Sequence, residues 1–218
     1  MRRLALGGLV VGLVISFAAH AASLHREYVW EYAGRTWTLE HTFDLATYTR
    51  YRALPRVARF TDYGEYVLDP GDDALLEDLV GDLERMATAA RFDDWQALHL
   101  IASFVQSLRY VAEETEYPRY PIETLVEGCG DCEDLAILTA DILRQMGFGV
   151  VLLAFTTEMH MAVGIRMTPP DSCTARAFEW NGDAYYYLET TAAGWTIGQV
   201  PTAYTSNPDV IALAPATP

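Results

Sequence analysis

The period of apolar and polar positions changes several times along the chain. Residues 28–43, YVWEYAGRTWTLEHTF, alternate aromatic and polar groups about Ala33-Gly34, which predicts a β-hairpin. Residues 48–67, rich in tyrosine and arginine, keep no period and are left without an assignment. After Asp69-Pro70 the period becomes helical: Leu75, Leu79, Leu83 and Met86 share a face, with acids loaded into the first turns. A second helix is predicted over 94–110, its stripe formed by Trp95, Leu98, Ile101, Val105 and Leu108. Pro118 and Pro121 break the pattern, because each disfavours helix at the residue before it. A third helix follows Cys129 and Cys132. Leu135, Leu138, Ile142 and Met146 form its stripe, Ala136, Ala140 and Leu143 widen it, and Gly147 ends it. FGVVLLAF at 148–155 is short, β-branched and nearly all apolar, hence a buried strand. HMAVGIR at 160–166 reads as another, and AFEW and AYYYLE about Asn181-Gly182-Asp183 as a hairpin. Beyond Ile197 periodicity fades and an irregular tail is expected.

Helices come first and strands later, so the expected class is α+β, with N-terminal helices packed on a C-terminal antiparallel sheet. The expected divisions are 1–22 as a leader, 23–68 as a hairpin with an irregular extension, 69–201 as the main domain and 202–218 as a tail. There is no internal repeat and no low-complexity tract.

Composition narrows this picture. At 218 residues and 51% hydrophobic, the chain supports one sizeable core. The leader has Arg2 and Arg3 ahead of an apolar run and Ala19-His20-Ala21 as an A-x-A-like cleavage site, which predicts export. It is read as a signal peptide, or as an anchor, since the uncharged stretch from Leu4 to Ala22 barely spans a bilayer. Contact with a membrane is expected through this segment alone. Thirty acids oppose fifteen bases, and every base is arginine; there is no lysine. A net charge of −15 repels polyanions, which excludes nucleic acid as a partner.

Candidate chemistry concentrates at VEGCGDCEDLAIL, residues 126–138. Asp131 stands where an N-cap belongs and Asp134 three residues on, an approximate capping box that makes Cys132 the first helical residue. Unpaired N–H groups and the positive end of the helix dipole favour a thiolate there, and the same groups can receive an oxyanion. Asp131, Glu133 and Asp134 oppose ionisation, so a cation is needed and histidine is the usual one. His20 lies in the leader, His25 and His41 are N-terminal, and His99 sits in an apolar helix as a packed residue. His160, at the head of a predicted strand, remains, with Glu189 in YYYLETT as the group that orients its ring. Read blandly, His160 is structural and Glu189 a solvated strand end.

YPIETLVEGCGDCEDLAILTADILRQMGFGVVLL, then HMAVGI, then YYYLETTAAGWTIGQVP resembles the transglutaminase-like superfamily of papain-fold cysteine enzymes. Its archaeal and bacterial members of unassigned substrate are the nearest in pattern. The resemblance covers residues 63–201, including SFVQSLRY at 103–110, and its specific blocks are GDCED and YYYLETT. It implies a triad in the order nucleophile helix, histidine strand, acid strand: Cys132 as nucleophile, His160 as base and Glu189 as orienter. Glutamate stands at 189 where many members carry aspartate. It also implies that Gln106 offers an amide N–H to the oxyanion, against a reading in which it only packs. Tyr117 and Tyr120, in the loop before the nucleophile, are candidates for lining a peptide cleft, or are ordinary loop packing.

The function this implies is acyl transfer through a Cys132 thiolate on a peptide or protein substrate, hydrolysis before transamidation, with no cofactor and no metal. Three other readings stay open. A catalytically silent, envelope-tethered interaction domain would keep the fold alone. A redox dithiol fits the C-x-x-C spacing, but such pairs follow a strand in a βαβ unit and attack with their first cysteine. A structural zinc site lacks ligands beyond Cys173. Three cysteines leave one over: Cys129–Cys173 as a disulfide with Cys132 free is the expected pairing, both unpaired is the alternative, and a Cys129–Cys132 bond would lock the enzyme off.

Overall fold

The computed structural model describes residues 22–57, 59–170 and 175–213. The leader and Cys173 therefore lie outside the described residues, and so do the expectations that depend on them. The aromatic–polar alternation forms β1 (Ser23–Tyr32) and β2 (Arg35–Asp44), joined through Ala33 and Gly34, whose φ of 52° and 70° suit a tight hairpin turn. Asp44 then caps α1 (Leu45–Arg52) by accepting the Thr47 N–H at 2.8 Å. The unassigned stretch continues through a 3₁₀ turn at Phe60–Asp62 into the single-turn α2 (Gly64–Val67).

Two amphipathic helices follow, α3 (Asp73–Ala90) and α4 (Asp94–Gln106). The buried face of α3 is Leu76, Leu79, Val80, Leu83 and Ala87, rotated from the expected stripe so that Leu75 and Met86 sit at its margin. Helix α4 opens on a full capping box between Asp93 and Gln96. It stops at Gln106 rather than at 110, because Arg109 and Tyr110 form β3 (Arg109–Tyr110), which pairs in parallel with β4 (Cys129–Gly130). Between them α5 (Pro121–Glu127) starts on a proline, whose missing N–H costs nothing in a first turn.

Helix α6 (Cys132–Gln145) is buried on nearly all sides from Glu133 to Leu143. It packs on β5 (Gly149–Phe155) and β6 (His160–Arg166) and is surrounded by α2, α3, α4 and α5. Two acids on it, Asp134 and Asp141, are fully buried, and each has an arginine: Arg119 for Asp134 and Arg144 for Asp141.

The sheet is five-stranded and antiparallel, in the order β7 (Ala177–Trp180), β8 (Asp183–Leu188), β6, β5, β9 (Asp209–Ala212). Asn181 and Gly182, both at positive φ, close the β7–β8 hairpin as its turn residues predict. Strand β9 corrects the expected irregular tail: it covers the edge of β5 with Ile211 buried. Strand β5 is apolar throughout because both its faces are covered. Leu152 and Ala154 face the helices, while Val151, Leu153 and Phe155 pack beneath Phe178, Tyr187 and Tyr204 on the outer face. The architecture is α+β, with the helices preceding and packed against an antiparallel sheet. Among the described residues no helix is long and apolar enough to cross a membrane.

Candidate active site

Cys132 opens α6, the first residue after the N-cap Asp131. The capping box is closed by Asp134, whose carboxylate accepts the Asp131 N–H at 3.2 Å and is held by the Arg119 backbone N–H and guanidinium. His160 heads β6, and antiparallel pairing of β6 with β8 brings the end of β8 alongside. Glu189 follows β8 directly, so strand pairing delivers its carboxylate to the histidine.

His160 Nε2 and Glu189 Oε2 are 3.1 Å apart, with their side chains 9% and 3% exposed. The rest of the carboxylate is saturated. The Tyr187 hydroxyl donates to Oε2 at 2.6 Å, and Oε1 accepts the N–H groups of Thr190 and Thr191 and the Thr191 hydroxyl at 2.8–3.1 Å. Burial raises the Glu189 pKa, but the contact with His160 and the hydrogen bonds from Tyr187 and Thr191 outweigh it and bring it down to about 2. An ionised carboxylate only accepts, so the histidine must carry its proton on Nε2. Nδ1 is then the ring nitrogen left for proton exchange.

Cys132 and His160 line one cleft of about 440 Å³, together with Phe60, Tyr63, Glu116, Glu133 and Met159. Met161, the residue that follows the histidine, lines the same cleft. The expected thiolate is not the resting form. Burial pushes the thiol pKa far up, the charge of Glu133 and its hydrogen bond push it further, and the backbone at Met161 acts the other way. The thiol donates to Glu133 Oε2 at 3.2 Å, so Cys132 waits protonated, with the carboxylate beside it as acceptor.

Gln106 lies elsewhere than expected. It is buried, and its amide nitrogen donates to the carbonyls of Glu189 and Trp195 at 2.8 and 3.1 Å. With both hydrogens engaged it has none for an oxyanion, and its effect is to hold the segment that carries Glu189. His99 is packed in the core; its Nε2 accepts the Ile197 N–H and its Nδ1 donates to the Trp95 carbonyl.

Tyr117 and Tyr120 also lie off the cleft. Tyr117 joins Arg56 and Glu123 in a half-buried charge cluster, and Tyr120 packs its ring at a tilt against Tyr51 and Tyr66. Besides Phe155 of β5, the aromatic cleft walls are Phe60 and Tyr63, from the stretch that showed no period, and Tyr63 is fixed by donating to Glu116. The hydrophobic pattern could not reveal them, since their burial arises from contacts with remote segments.

Cys129 is buried in β4, is absent from the cleft lining, and is not bonded to Cys132. A dithiol catalyst needs both sulfurs presented together, which this placement does not provide. Among the described residues no group of histidine, cysteine and acid side chains is arranged to hold a metal ion.

No protein-family model and no curated protein matches the chain. Among solved structures, LapG of Legionella pneumophila aligns over 75% of this chain and 80% of its own, at 16% identity and a TM-score of 0.35. A candidate cysteine protease from Cytophaga hutchinsonii aligns over 88% of this chain and 68% of its own, at 13% identity and a TM-score of 0.42. The functional reading therefore rests on this chain's own residues.

Proposed function

We propose that the protein is an exported cysteine enzyme of the transglutaminase-like, papain-fold kind, cleaving amide bonds of a peptide or protein through Cys132. The observation that carries this is the His160–Glu189 pair. It commits Nε2 to the carboxylate and leaves Nδ1 for proton transfer, in the cleft that holds the only half-exposed thiol among the described residues.

In this reading His160 acts as general base on a neutral thiol rather than as partner in a standing ion pair. Substrate entering the cleft displaces the thiol from Glu133. The proton passes from Sγ to Nδ1, and the sulfur attacks the carbonyl carbon. The oxyanion forms against the first N–H groups of α6, where the helix dipole favours negative charge. His160, now cationic against Glu189, returns the proton to the leaving amine, and a thioester remains. Water, deprotonated by the same Nδ1, hydrolyses it and frees the thiol. Hydrolysis is favoured over transamidation because water needs no dedicated acceptor channel.

The high thiol pKa favours one competing reading, a silent interaction domain. Iodoacetamide labelling of Cys132, followed by mass spectrometry across pH, separates the two. The enzyme gives selective alkylation that falls at least tenfold in His160→Ala; slow alkylation indifferent to His160 defeats it. A panel of peptide and isopeptide amides, assayed with residues 23–218, then identifies the bond that is cut.

A further inference from the structure

The C-terminal segment returns across the histidine. Tyr204 packs its ring against the His160 imidazole, tilted by 53° with 5.1 Å between centroids, and against Phe155 at 5.4 Å. The turn that precedes His160 grips the same segment. Glu158 accepts the N–H groups of Thr205 and Ser206 at 3.1 Å each and the Ser206 hydroxyl at 2.5 Å. On the far side β9 anchors the segment by pairing with β5. Glu158, Ser206 and Tyr204 have no part in the steps described above.

The geometry points to Tyr204 as a positioning residue for the His160–Glu189 pair, clasped in place by Glu158; for its effect on chemistry this rests on the catalytic reading of Cys132 and His160. One hydrogen bond at Nε2 leaves an imidazole free to swing, and swinging moves Nδ1 within the cleft it shares with the sulfur. A ring packed against the imidazole removes this freedom without adding charge. It also keeps water from the Nε2–H···Oε2 bond, and such a bond is stronger in a drier setting. Burial, followed by the nearby Glu189 and Cys132, pushes the Tyr204 hydroxyl up to about 12, so the ring meets the site as a neutral phenol. Tyr187, in the same outer-face cluster, is committed to Glu189 by its hydroxyl and cannot substitute.

The test uses the full chain with Tyr204→Phe, Tyr204→Ala and Glu158→Ala. The last is a surface change, which keeps the test open should Tyr204→Ala not fold. Two quantities are read: water exchange of the His160 Nε2–H by NMR, with His160→Ala identifying the signal, and the pH profile of Cys132 alkylation by iodoacetamide. Tyr204→Phe should match the parent in both. Tyr204→Ala and Glu158→Ala should speed N–H exchange and slow alkylation by about tenfold, with little change of melting temperature in Glu158→Ala. Unchanged N–H protection in both variants overturns the proposal. Faster exchange together with alkylation that never depended on His160 upholds the positioning role and removes the catalytic reading instead.

Discussion

Burial first, and the Cys132–Glu133 contact after it, hold the sulfur toward its protonated form. A negative carboxylate beside a buried thiol stabilises the proton on sulfur, so neutralising residue 133 should release it. In Glu133→Gln the amide oxygen still accepts the S–H hydrogen bond, but the charge is gone. The thiol pKa should fall by about one unit or more, and alkylation at pH 8 should rise several-fold. An unmoved pH midpoint would show that burial alone sets the thiol. At the orienting position, Glu189→Gln presents an N–H to Nε2 and favours the wrong tautomer. Any amidase activity should then fall by about 10²-fold or more, read as kcat with KM little changed. Cys132, His160 and Glu189 were legible from residue type, spacing and family resemblance. The Glu133 contact was visible only as a nearby like charge, because a sequence does not say whether a neighbouring carboxylate faces the sulfur.

Among the elements, the short β3–β4 pairing places the nucleophile loop. Tyr110 pairs with Gly130, and the Val111 N–H donates to the Gly130 carbonyl at 2.9 Å. A Cβ on Gly130 would lie 2.5 Å from Asp134 Cβ and 2.9 Å from its Oδ2. Asp134 cannot step aside, since Arg119 holds it. Gly130→Ala should therefore destabilise the fold by about 1–3 kcal/mol in urea unfolding and slow Cys132 alkylation as well. A variant as stable as the parent would show that the loop has slack. The helix stripes, the caps at Asp93 and Asp131 and the Asn181-Gly182 turn were readable because each is written in a few adjacent residues. The end of α4 was misplaced by four positions, because its signal is a pairing with residues twenty positions away.

At the scale of the molecule, thirty acids against fifteen bases leave carboxylates buried without enough arginine. Burial and the nearby Asp141 push Asp72 up to about 7, and burial pushes Asp141 up to about 6 despite Arg144. Both are raised above their unfolded values, so the folded chain binds more protons than the unfolded one in this range. Their contribution is complete below about pH 4 and is lost as pH rises through 6 to 7. Glu189, held at about 2, has the opposite sign: its contribution is present above its unfolded value near 4.5 and is lost as pH falls toward 2. The melting temperature, followed by circular dichroism, should thus peak near pH 4–5 and decline toward pH 8. Added salt should recover part of the loss at pH 8 by screening the net negative charge. A melting temperature that climbs steadily from pH 5 to 8 would contradict the assigned shifts.

The sequence alone was enough for the two hairpins, α3, α4, α6, β5 and β6, and for the chain order of the candidates Cys132, His160 and Glu189. Period, caps and turn residues act over a few neighbours and are therefore written locally. Tertiary structure alone decided the partners: Glu133 on the thiol, Gln106 on two backbone carbonyls, Phe60 and Tyr63 as cleft walls, Tyr204 over the imidazole and β9 along the sheet edge. Each of these depends on which distant surfaces meet when the sheet closes over α6, and a contact between remote segments leaves no period in either one.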